Sequence, residues 1–246
     1  DINMIKIRCS QIGKIMTSSR SKSEALSKGT KKYIQELALE NVYGIRKDVT
    51  SKYIEKGNLV ENDGIQLASE LMDKGFLYKN EERYINDYLS GTPDVNTESC
   101  LLDIKSSFDA TTYPWFEEEI PSKSYYYQLQ GYMNLTGKKK SYLCYCLLNT
   151  PFHIVEDEAR RAHYNAFLID ESEELRADVE KNHIVDHIPK IKRLRVYEVH
   201  YDESVIKKIY DRIDECREYY EWCVKQISVA ENDIVAIDGS QNIRHE

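Results

Sequence analysis

The sequence predicts an α/β fold, a mixed central β-sheet flanked by helices, and three observations carry that prediction. Residues 141–148 are apolar on both alternating faces (Tyr142, Cys144, Cys146, Leu148; Leu143, Tyr145, Leu147), as a central strand covered on two sides must be. Residues 203–228 place Ile206, Ile209, Ile213, Cys216, Tyr220, Cys223 and Ile227 at steps of three and four, a long helix with one apolar seam. Between these and the chain start the periods run helices, strands, helix, which layers into one domain.

In chain order, residues 10–16 read as a short helix, with Ser10 as cap ahead of Ile12, Ile15 and Met16. Residues 18–28 are polar and loop-like. Residues 30–42 carry Tyr33, Ile34, Leu37, Leu39 and Val42 at helical spacing. Residues 53–72 do the same with Ile54, Leu59, Ile65, Leu67, Ala68 and Leu71. The runs then shorten. Residues 76–88 and 101–105, set around Gly91, Pro93 and Asn96, predict strands of an antiparallel meander. Residues 122–135 are helical, and Gly137 followed by three lysines suits the C-terminal end of that helix. Residues 159–182 read as a charged helix, 194–201 as an edge strand and 231–246 as a frayed end. The seam of 203–228 has two readings, packing on the chain's own sheet or on another chain.

The chain has 246 residues, which favours one large domain or two small ones. With 41% hydrophobic and 31% charged residues it has the means for a packed core rather than long disorder. No stretch nears the ~20 consecutive apolar residues of a membrane span, and the first residues lack the layout of a signal peptide. The 6 cysteines form neither CxxC nor a Cys/His finger spacing. The expectation is therefore free thiols in a reducing cytoplasm, with no zinc or iron–sulfur centre. A net charge of −8 argues against coating nucleic acid by bulk electrostatics. The charge is uneven, however: residues 1–60 hold twelve Lys and Arg against six Asp and Glu. That segment is either a local phosphate-binding surface or a solvated helix face.

Chemistry concentrates at Gly91-Thr92-Pro93-Asp94 and Asp103-Ile104-Lys105. On a strand Asp103 and Lys105 share a face while Ile104 points to the core. Hard carboxylate oxygens suit Mg²⁺, and a neighbouring lysine orients water or neutralises phosphate. Alone, the pair reads first as an ordinary surface ion pair. Glu61 stands on the helix before the strands and alone is indistinguishable from a solvated glutamate. Gln128 and Tyr132 lie one helical turn apart and share a face. The glutamine suits a metal shell without adding charge, and the tyrosine suits a phosphate or a stacked base. Both also fit a plain amphipathic helix.

In this order (helix glutamate, PD, DxK, QxxxY) the residues resemble the PD-(D/E)xK nuclease superfamily, and more closely the phage lambda-type exonucleases of viral recombination. The resemblance runs over residues 8–150 and includes Cys9-Ser10-Gln11-Ile12-Gly13 and Lys56-Gly57-Asn58-Leu59-Val60-Glu61. It implies a single nuclease domain over 1–246, with a restriction-endonuclease-like core over 8–150 and a helical extension over 151–246. It implies Mg²⁺, with Mn²⁺ substituting, on Asp94, Asp103 and the carbonyl of Ile104, and Glu61 serving a second metal or its water. Lys105 would position the nucleophile and Gln128 support the metal shell. Arg8, Ser10, Thr92 and Tyr132 would meet DNA. It implies 5′→3′ digestion of one strand of linear duplex DNA to leave 3′ overhangs, a trimeric ring, handover to a single-strand annealing partner, and a bacterial or phage-infected cytoplasm without membrane attachment. Asp103 stands where the family commonly has glutamate, and Arg8 is the candidate for its N-terminal arginine. An endonuclease of the same superfamily and a non-catalytic DNA-binding protein are the alternatives.

Overall fold

Two small β-sheets share one helical coat in the computed structural model, which describes residues 4–21, 23–47, 50–168 and 172–228. In chain order the elements are β1 (Ile7–Arg8), α1 (Ile12–Ile15), α2 (Lys28–Tyr43), α3 (Lys52–Leu59), α4 (Glu61–Leu71), β2 (Tyr84–Ile85), β3 (Leu89–Gly91), β4 (Val95–Asn96), β5 (Leu101–Ser106), α5 (Lys123–Thr136), β6 (Lys140–Cys146), α6 (Phe152–Asn165), α7 (Glu173–His183), β7 (Leu194–His200) and α8 (Glu203–Ser228). The larger sheet has the order β4-β5-β6-β7, with β5 and β6 parallel and both outer pairs antiparallel, so it is mixed. The smaller sheet has the order β1-β3-β2, with β1 parallel to β3.

The central strand is β6. Its Leu143 packs in one core cluster with Leu101, α5 and α8, while Tyr142, Cys144 and Cys146 pack in another with Ile65, Leu67 and Ala68 of α4. β5 shares this division: Leu102 and Ile104 face α4, and Asp103 and Lys105 take the opposite face, toward α5. β7 is the edge. Helix α8 matches its sequence pattern end to end, and its seam packs against Tyr33, Ile34 and Ala38 of α2 and Tyr197 and Val199 of β7. Each fully buried isoleucine of that seam contributes about 1.5–3 kcal/mol relative to exposure. All six cysteines are free and buried. No helix among the described residues is long and apolar enough to cross a membrane.

Four expectations change. Ser10 does not cap α1; it sits inside a single 3₁₀ turn, Cys9–Gln11, and no side chain caps the helix that follows. Residues 53–72 are two helices, broken at Val60 (φ −104°, ψ 8°). The first is anchored through Lys56, and the second packs against Ile104 of β5 at Gly64. The meander is instead divided between two sheets, because β1 inserts beside β3 and β6 beside β5; residues 76–80 are not a strand, and Phe76 and Tyr78 are exposed. Residues 159–182 also break: α6 starts earlier, after Pro151, and ends before Phe167, which takes a left-handed φ of 55°. Residues 231–246 lie outside the described residues.

Candidate active site

β5 supplies the centre of the site. β4 covers only Leu101 and Leu102, so the strand edge from Asp103 onward is open on that side. Asp94, just before β4, fills the gap: its Oδ2 accepts a hydrogen bond from the Ile104 amide at 2.6 Å. The N–H and C=O of one strand residue leave the same edge, so the Ile104 carbonyl also faces the Asp94 side. Burial, and then the negative charge of Asp103, push the half-buried Asp94 carboxyl up to about 7; Lys105 and the Ile104 amide pull the other way.

Asp103 is 1% exposed. Its Oδ1 accepts from Gln128 Nε2 at 2.9 Å, and the same amide nitrogen donates to the Tyr132 hydroxyl at 3.0 Å. Its Oδ2 lies 2.6 Å from Lys105 Nζ, yet is buried without a well-aligned hydrogen-bond donor. Burial lowers the Lys105 pKa, but Asp103 and Asp94 outweigh it and the net shift is upward. Lys105 is therefore a charged donor at neutral pH, not a base. Its ammonium also lies 5.3 Å from the ring centre of Tyr125.

Glu61 is the first residue of α4 and is ion-paired with Lys79, which the sequence pattern did not single out. It is near enough for its charge to raise Asp94 further. What brings α4 so close is Gly64: a Cβ there would meet Ile104 Cγ2 at 2.6 Å. A second residue without a sequence signal for its role is Lys56. It is 1% exposed, and donates to the carbonyls of Phe108 at 2.8 Å and Leu148 at 2.9 Å, beyond the ends of β5 and β6. Desolvation lowers its pKa to about 8. It ties the helix before Glu61 to the strand that carries Asp103.

The structure gathers Asp94, Asp103, Ile104, Lys105 and Gln128 at one place, with Glu61 alongside. Tyr132 is a correction. It is 5% exposed, packed on Gly91, where a Cβ would lie 2.6 Å from its ring, and it accepts from Gln128. It has no face free for a base and instead steadies Gln128. Gln128 in turn holds Asp103 directly. Arg8, Ser10 and Thr92 are exposed. The parallel pairing of Arg8 with Ser90, and the approach of Cys9 to Gly91, bring the segment of Arg8 and Ser10 alongside that of Thr92.

These donors fit a hard divalent cation. Asp103 Oδ2, which is ion-paired with Lys105, the Asp94 carboxylate and the Ile104 carbonyl form an oxygen-only set. Among the described residues no three His, Cys, Asp or Glu side chains form a ligand cage. Two carboxylates and one carbonyl leave room for water and substrate oxygens, as Mg²⁺ prefers.

No family model and no curated protein matches the chain. Solved structures do. A phage-related exonuclease from Haemophilus somnus 129PT superposes with a TM-score of 0.76 at 26% identity, covering 93% of this chain and 100% of that one. An alkaline exonuclease from Laribacter hongkongensis gives 0.60 at 13% identity over 92% of each chain, and its complex with dAMP gives 0.56. At that identity the second protein speaks for the fold.

Proposed function

We propose, from the likeness of this fold to phage-related exonucleases and from the PD, DxK and QxxxY residues gathered at its site, a Mg²⁺-dependent exonuclease that digests one strand of linear duplex DNA 5′→3′ and leaves 3′ overhangs. It is a nuclease, a phosphodiester-hydrolysing enzyme acting on DNA. The observation that carries the metal-dependent reading is Asp103: a fully buried carboxylate with one oxygen fixed by Gln128 and the other facing Lys105 without an aligned donor.

Asp94, Asp103 and the Ile104 carbonyl would hold Mg²⁺, with Mn²⁺ able to replace it, and the ion would supply a Lewis acid for charge building on the scissile phosphate. The residues divide the remaining work. Gln128 orients Asp103, and Tyr132 orients Gln128. Lys105 keeps its proton and donates to the attacking water or a non-bridging oxygen. Glu61, near enough for its charge to reach Asp94, would serve a second metal or orient its water. Ser10, Arg8 and Thr92 face solvent beside this centre and suit a DNA phosphate. A trimeric ring, an annealing partner and a role in recombination inside the cell complete the reading, supported by the resemblance to phage enzymes.

Asp103→Asn tests the assignment. It keeps the shape and removes the charge, so cleavage of linear duplex DNA should fall by at least about a thousandfold (~4 kcal/mol in the barrier), with duplex affinity within a few-fold of wild type. Retained cleavage would remove Asp103 from the site.

A further inference from the structure

The basic N-terminal segment folds into a groove that extends away from the catalytic centre and shares Arg8 with the DNA contacts proposed above. Two contiguous clefts, about 750 and about 710 Å³, run over one face of α2 and share Arg8, Leu37, Glu40 and Arg46 as a common wall. Six cations line them: Lys6, Arg8, Lys14, Arg46, Lys47 and Arg83. Only Glu36 and Glu40 oppose them, in a protein whose net charge is −8. Glu40 is taken by Arg46, and Arg83 binds Ser90. Among the described residues Lys6, Arg8, Lys14 and Lys47 have no carboxylate partner. Independently, Tyr33 lines the second cleft, and its hydroxyl is buried without a well-aligned hydrogen-bond partner. The Arg8 guanidinium is near enough to act on it, but an arginine only donates and leaves the hydroxyl proton without an acceptor. Lys14 Nζ lies 5.0 Å from the centre of the same ring. A buried hydroxyl proton without an acceptor is costly, and an anion oxygen in the cleft would accept it.

We propose that this groove holds the sugar–phosphate backbone of duplex DNA on its approach to the catalytic centre. The proposal rests on the nuclease reading above. Two features favour a duplex backbone. The groove's aromatic residues, Tyr33 and Tyr220, are buried, so it offers no stacking platform of the kind single strands need. The groove also adjoins the site: Arg8 pairs in register with Ser90, four residues before Asp94, a span of at most about 14 Å of chain. Phosphates held along Arg8, Lys14 and Lys47 would set how the duplex end enters.

The test uses the full chain and a blunt duplex of about 20 base pairs, titrated without divalent metal between roughly 50 and 200 mM salt. The variants are Lys14→Gln with Lys47→Gln, and separately Tyr33→Phe. The double variant should bind at least about tenfold more weakly, with the slope of log K against log salt shallower by about two, one unit for each phosphate no longer neutralised. On linear duplex its kcat should stay and its KM rise. Tyr33→Phe should weaken binding a few-fold while the melting temperature of the free protein stays or rises, because it removes a buried hydroxyl proton without an acceptor. Unchanged affinity and slope in both variants overturn the groove while leaving the nuclease reading intact. Loss of inorganic phosphate binding alone, with the duplex slope unchanged, makes this a small-anion site and overturns the proposal. A wild-type protein that binds no duplex sinks the nuclease reading itself.

Discussion

Asp103 sits between two neighbours of opposite kind, an uncharged amide that fixes it and an ammonium that balances it. That division makes Asp94 the residue whose protonation answers to pH. Its carboxyl moves from an ordinary 3.8 to about 7, through burial first and Asp103 second. Between those pH values the folded protein keeps a proton that the unfolded chain releases. This group's contribution to metal-free stability is therefore full below about pH 4 and is lost as pH rises through about 7. A cation on Asp94 must displace the proton, so Mg²⁺ affinity should fall about tenfold per pH unit below 7 and level off above it. Calorimetric titration with Mg²⁺ from pH 5.5 to 8.5 reads this directly, and a flat profile would contradict it. At this scale the sequence was most legible where geometry is local. Asp103 and Lys105 share a face because strands have period two, and Gln128 and Tyr132 share one because helices repeat near four. Tyr132's burial was not legible, because it depends on Cys9 and Gly91 brought in from other segments.

Helix α4 shows how one element controls the site. Gly64 lets it lie against Ile104, and Glu61 rides one turn earlier on the same helix. Gly64→Val should destabilise by about 1–3 kcal/mol through overpacking and lower turnover as Ile104 and Glu61 shift. Gly57→Ala, where a Cβ meets nothing within 4 Å, should leave stability equal or slightly higher. Thermal melts of the two variants, paired with turnover, check the contrast; equal effects would show that the close approach is not what positions α4. The elements themselves were legible in proportion to their periodicity. α8 was read to the residue because its seam persists through seven turns. The α3–α4 break at Val60 was not, because both helices carry helical spacing and their separate tertiary anchors, Lys56 and the close approach at Gly64, leave no local signal. The short strands were misassigned to one meander, since a two-residue strand such as β1 carries no period of its own.

Across the whole molecule the sequence's charge asymmetry becomes spatial: the basic N-terminal segment lines a groove beside the carboxylates, while the rest of the chain is acidic. The C-terminal seam, open to two readings in the sequence, closes on α2 and β7 within the same chain. Any ring of protomers must therefore use another surface. Asp94, Asp103 and Lys105 are proposed to carry out end-dependent, metal-dependent strand digestion. The most direct test is incubation of duplex DNA with Mg²⁺, comparing linear molecules with 5′-phosphate ends, linear molecules with 5′-hydroxyl ends and covalently closed circles, with Asp103→Asn as control. One strand should be lost from linear DNA, fastest from 5′-phosphate ends, with circles intact and the variant inactive. Cleavage of closed circles, or linear DNA left whole by the wild-type protein, would contradict that proposal.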